Sequence, residues 1–264
     1  MFKNYVNLDV ICDNYRYNSC IYDALEFICD QKKLKKEDLD CKLILAKDYK
    51  IAHKQYHFQP DTIGNPNGSF IPTYFQNEET KKDNRDIILI NIGKLEEKNA
   101  TVFFIASVIV HELNHYLVDK EIYPILKEKY NLHLGDINYE PKLDHIGGVY
   151  QGYSETHSKY YQEKYIILRD PKIFLDEYIK KCRKSIPKVK GEQDYYSLYH
   201  ITGLIKCWED LTKNDKSLQA TVDRIKKQCF AMFDPIREYI YDTFDSRLLL
   251  ARCEKIYMGE IPTE

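Results

Sequence analysis

The chain is 264 residues long and carries 39 basic against 41 acidic side chains, a formal net charge of −2. That balance excludes a protein that coats nucleic acid, which needs a large basic surplus to neutralise phosphate. With 44% hydrophobic and 13% aromatic residues, and only 10 Gly and 9 Pro, the chain is neither disordered nor a low-complexity scaffold, and it is long enough to bury a core.

Residues 19–34 space Ile21, Leu25 and Ile28 as one helical stripe, with Ser19 as its cap. Strands are expected at 41–46 and 49–58, followed by turn chemistry through DTIGNPNGS at 61–69. Two more strands, 70–75 and 87–92, complete a small sheet backed by the first helix. From Ala100 to Lys120 the sequence ATVFFIASVIVHELNHYLVDK is apolar on nearly all sides, as a buried central helix is, with Asn99 as its cap. A short helix at 124–130, a polar loop at 131–148 and a helix at 149–168 come next, the last stopped by Arg169-Asp170-Pro171. The remainder reads as helices at 171–185, 193–213, 218–233 and 235–253. The basic stretch 180–190 reads as a solvated helix end rather than a nucleic-acid patch.

The N-terminus places Asp and Asn where a secretory signal needs an apolar run, and the longest apolar run, Val102 to Val110, is far short of the roughly 20 residues that span a bilayer. The eight cysteines form no C-x-x-C pair and several lie among apolar residues. They are expected to be small buried hydrophobes in a reducing compartment, so a cytoplasmic location without membrane association is expected.

One motif carries chemistry. His111-Glu112-Leu113-Asn114-His115 is H-E-x-x-H. On a helix, positions four apart lie about 40° apart around the axis and about 6 Å along it, so both imidazoles project from one face and can share a metal ion. Glu112 lies about 100° round from His111, beside the metal rather than on it, where it can act as general base toward water. At this chain's His and Glu frequencies, chance supplies about 0.02 such motifs. The uncharged flanks Val110, Asn114, Tyr116 and Leu117 suit a buried zinc-binding helix.

These five residues resemble the zinc-binding helix of the zincin metallopeptidases, and the Ile- and Leu-rich strand at 87–92 resembles their substrate-facing edge strand. The resemblance spans roughly residues 85–160. It implies an α+β fold with a small N-terminal sheet and a mostly helical C-terminal half: a catalytic core at 1–170 and a helical subdomain at 171–264 packed on it. It also implies Zn2+ as cofactor and a peptide or protein substrate, hydrolysed by zinc-activated water.

A catalytic zinc needs a third protein ligand. The metzincin pattern would need Gly at 118 and His at 121, where this chain has Val118 and Glu121. The G-T-x-D pattern of the aspartate-ligand group is missing, which leaves Asp144 a minor candidate. The resemblance to gluzincins, including their compact bacterial ImmA-like group, points to Glu155 in Gly152-Tyr153-Ser154-Glu155-Thr156-His157-Ser158-Lys159. Gly148 and Gly152 on its face would let its helix approach the zinc helix. The gluzincin pattern Asn-Glu-x-x-Ser-Asp is matched at Glu155 and Ser158 but not at Ser154 or Lys159. The histidines His145 and His157 remain alternative ligands. Candidates for steadying the oxyanion are His157, Tyr153 and His200. His53, His57 and His133 read as ordinary strand or loop histidines. The rival readings are a catalytically silent zincin-fold module and a helical protein with a coincidental motif.

Overall fold

In a computed structural model of the chain, the described residues are 8–12, 15–58, 64–134, 141–170, 172–183, 195–231 and 245–260. The fold is α+β and mostly helical, and it divides into two compact units: Met1–Glu121 with His133–Gly135, and Ile122–Leu132 with Asp136–Glu264.

The first unit holds the sheet. Strands β1 (Leu8–Ile11), β2 (Cys41–Ala46), β3 (Gly68–Ile71) and β4 (Asp86–Asn91) lie in the order β1-β2-β4-β3. The first three in that order run parallel, and β3 is antiparallel to β4, with Gly68 opposite Ile90. All of β4 is buried. Its run of Ile87, Ile88, Leu89 and Ile90 reads as a strand covered on both faces, each such side chain contributing about 1.5–3 kcal/mol of burial.

Because β4 is hydrogen-bonded to β2 on one side and β3 on the other, it is not the edge strand expected from the sequence; β3 is. The predicted strand at 70–75 is also shorter and earlier, since Pro72 ends it and Thr73–Phe75 turns as a 3-10 helix.

The predicted strand at 49–58 is instead the helix α2 (Tyr49–Tyr56), which follows α1 (Asn18–Lys32) in the chain. Asp48 caps α2, its carboxylate accepting from the Ile51 N–H at 3.1 Å. Tyr49, Ala52, His53 and Tyr56 then share one helical face, with Tyr49 and His53 buried. Ser19 does not cap α1, which begins one residue earlier, after Tyr17.

Helix α3 (Ile92–Glu97) leads into the long α4 (Val102–Tyr130). Thr101, not Asn99, caps α4: its hydroxyl accepts from the Phe104 N–H at 3.2 Å, while Asn99 sits in the left-handed region at φ 51°. Pro124 lies inside α4 instead of starting a separate helix. A proline there forfeits a backbone bond and costs about 3 kcal/mol. Ile122, Leu126 and Tyr130, four apart and buried, offset that cost along one face. By length and composition α4 is apolar enough to cross a membrane, but 72% of its most apolar window is buried inside the protein, as in a core helix.

The second unit is helical: α5 (Pro141–Arg169), α6 (Leu175–Arg183), α7 (Tyr195–Thr212), α8 (Lys216–Ala231) and α9 (Ser246–Tyr257). Helix α5 starts inside the predicted loop, with Pro141 at its first position, where the missing N–H is no loss. Trp208 and Ile205 of α7 pack with Ile179 of α6 and Ile225 of α8 in its core. The expected helix at 235–253 is described only from Ser246, and most of the basic stretch 180–190 and part of the loop 131–148 lie outside the described residues.

Gly152 makes room for α7. A Cβ there would stand 2.6 Å from the Tyr199 ring on α7, and one at Gly148 would meet nothing within 4 Å.

Candidate metal centre

Between Ile105 and Asp119 helix α4 is almost entirely buried, and it carries its polar motif into that interior. His111, Glu112 and Asn114 are buried and His115 is half-buried. The one-turn spacing brings His111 and His115 Nε2 to 3.1 Å from each other, with the ring planes at 78°. Two neutral imidazoles this close share one proton between facing nitrogens. A cation between them would instead take a lone pair from each.

Glu155 on α5 completes a group. The ligand atoms of His111, His115 and Glu155 all lie within 4.8 Å of one another, so this partly buried set can hold a metal ion. Two imidazoles and a carboxylate are the donor chemistry of a three-ligand zinc site.

Glu112 is not a member of that group. Its carboxylate packs against the edge strand, where a Cβ on Gly68 would come within 2.9 Å of its Cγ and Oε1. Glycine at 68 therefore makes room for the acid. The next residue, Ser69, is hydrogen-bonded through its hydroxyl to Tyr49 of α2. Burial pushes the Tyr49 phenol up to about 12; Ser69 partly opposes that rise and the Glu112 charge adds to it. Tyr49 thus stays a neutral phenol near the general-base candidate.

Of the other expected site residues, Tyr153 and His157 are both buried on α5, one turn apart, with ring centroids 4.2 Å apart. Neither belongs to the metal-competent group, nor does His145. Burial, followed by the Arg252 charge, lowers the His145 pKa. Asp144 is exposed at the start of α5. His200 places Nε2 3.2 Å from Glu155 Oε2. Lys159, which stands where gluzincins carry an Asp, pairs with Glu163 at 3.4 Å.

Sequence reasoning missed Gly68, Tyr49 and the pairing of His200 with Glu155. Gly68 falls in a turn-rich stretch with no local sign that it faces an acid. The His200–Glu155 pairing joins positions 45 apart in the chain, which no local periodicity reveals.

His53 is neither a strand nor a loop residue, whereas His57 follows α2 in extended backbone and forms a lone antiparallel bridge with Gln76. His53 lies on α2 and is buried, and His57 ends that helix and stacks on it at 4.8 Å. All eight cysteines are in the thiol form, six of them buried.

Comparison with family models, with curated proteins and with solved structures gave no match to this chain.

Proposed function

We propose that this protein is a zinc-dependent metallopeptidase with a zincin-like, gluzincin-type centre. The convergence of His111, His115 and Glu155 carries the reading. Glu112 supports it, being held apart from that group in a place that glycine keeps open. On this reading His111, His115 and Glu155 hold the ion, which supplies Lewis-acid polarisation and lowers the pKa of water at the site. Glu112 accepts the proton of the attacking water on its carboxylate and returns it to the leaving amine. The peptide adds alongside β3, an edge strand among the described residues, rather than along β4, with backbone hydrogen bonds fixing its course. Tyr153 and His157 are the candidates for steadying the oxyanion. Eight cysteines in the thiol form suit a reducing, cytoplasmic setting.

Zinc content by elemental analysis, combined with cleavage of a quenched-peptide library, tests this. Glu112→Gln is expected to keep one equivalent of zinc and lose at least about a hundredfold in kcat. A wild type that binds zinc and cleaves nothing would favour a silent binding module, and one that binds no zinc would leave the motif a coincidence.

A further inference from the structure

His200 stands beside the proposed third ligand, and the packing there is unusually close. Its Nε2 lies 3.2 Å from Glu155 Oε2, with the two side chains 28% and 21% exposed. An ionised carboxylate only accepts, so the imidazole donates its Nε2–H. His200 is outside the group whose ligand atoms converge. A carboxylate has two oxygens and about four lone-pair directions, so accepting from His200 is compatible with ligation.

The backbones on both sides of this pair are clasped. Gly152, three residues before Glu155, admits the ring of Tyr199, the neighbour of His200; a Cβ there would stand 2.6 Å from it. Gly203, three residues after His200, lies against the residue following Glu155; a Cβ there would stand 2.4 Å from the Thr156 carbonyl oxygen. Helices α5 and α7 therefore touch at the residues flanking the His–Glu pair. Contacts to backbone and ring atoms hold the two side chains in register, unlike a pair of long surface groups that meet by chance.

We infer that His200 is a positioning residue: its Nε2–H fixes the Glu155 carboxylate in the orientation in which it serves a divalent cation together with His111 and His115. This rests on the metal reading above. Outer hydrogen bonds to a ligand typically change metal affinity by about 10–100-fold. His200 was also a candidate for steadying the oxyanion, and its bond to Glu155 gives it a different task.

The test is zinc affinity of the full chain, measured by competition with a chromophoric chelator, which needs no substrate. His200→Ala is expected to bind zinc about 10–100-fold more weakly than wild type, and His200→Gln, which keeps an N–H donor, to recover most of that loss. The double variant of His200→Ala with Glu155→Ala is expected to bind no more weakly than Glu155→Ala alone. Wild-type affinity in His200→Ala overturns the inference, as do losses that multiply in the double variant. Glutamine as weak as alanine overturns the donor role, with circular dichroism showing that both variants fold. A wild type that takes up no zinc removes the metal reading itself, and this inference with it, a result distinct from each of the others.

Discussion

Replacing Gly68 by Ala probes the general-base assignment without replacing any ligand or acid. The added methyl would stand 2.9 Å from Glu112 Cγ and Oε1 and 3.1 Å from Cδ. Ordinary contact begins near 3.4 Å, so the carboxylate must withdraw by about half an ångström. Because Cγ is as close as the carboxylate, the whole Glu112 side chain must turn about its Cα–Cβ bond, a side-chain adjustment that leaves the backbone in place, so the protein should fold. Removing a strand glycine shifts stability by no more than about 1 kcal/mol through the unfolded chain. A general base works within hydrogen-bond reach, and misplacement by about 1 Å costs on the order of a hundredfold. Half that displacement predicts a fall of about tenfold in kcat, with zinc affinity within about twofold of wild type. The assay is kcat on a peptide cleaved by wild type, beside a chelator competition. In a Glu112→Gln background, Gly68→Ala should add nothing, since both changes act through one carboxylate. Unchanged kcat in Gly68→Ala, or a further loss on top of Glu112→Gln, would refute the reasoning.

Acid should weaken the fold through His53. Burial and the neighbouring His57 lower its pKa from 6.5 to about 4, so between those values the unfolded chain takes a proton that the folded chain refuses. Stability therefore declines as pH falls through this window, by at most about 3 kcal/mol; His53→Gln should flatten that limb of a urea-melt series, and an unchanged slope would refute the assignment. Gly203→Ala places a methyl 2.4 Å from a backbone oxygen that cannot rotate away, so α5 and α7 must separate. A loss of about 1–3 kcal/mol in denaturant midpoint analysis is expected, and wild-type stability would show that the helices are not clasped there.

The motif and much of the sheet were legible because they are local. Strand β2 is where its apolar run places it, and β4 begins and ends one residue before the expected stretch. The failures came where tertiary burial outweighed local signals. Residues 49–56 alternate well enough to suggest a strand, yet the Asp48 cap and the buried face of Tyr49 and His53 make them a helix. Pro124 reads as a break, but the buried side chains around it carry α4 through. The edge-strand assignment failed because strand order is a long-range property: β3 precedes β4 in sequence but pairs outside it. Glu155 was reached through family likeness, and its ligand atom lies within 4.8 Å of those of the two histidines. Of the two glycines named beside it, Gly152 makes room for the Tyr199 ring and Gly148 has nothing within 4 Å, because a sequence shows that a residue is small without showing what fills the space beside it.

The brevity of β3 has its own consequence. Gly68–Ile71 offers only four residues, about 13 Å of ladder, and alternate residues turn to opposite faces. A guest chain laid alongside would gain three or four backbone bonds of about 1 kcal/mol each, which by themselves correspond to millimolar affinity. Such a grip selects little and lets go quickly. On the proposed reading, discrimination among guests must come from side-chain pockets beyond the ladder, and departure of the severed halves would not limit turnover.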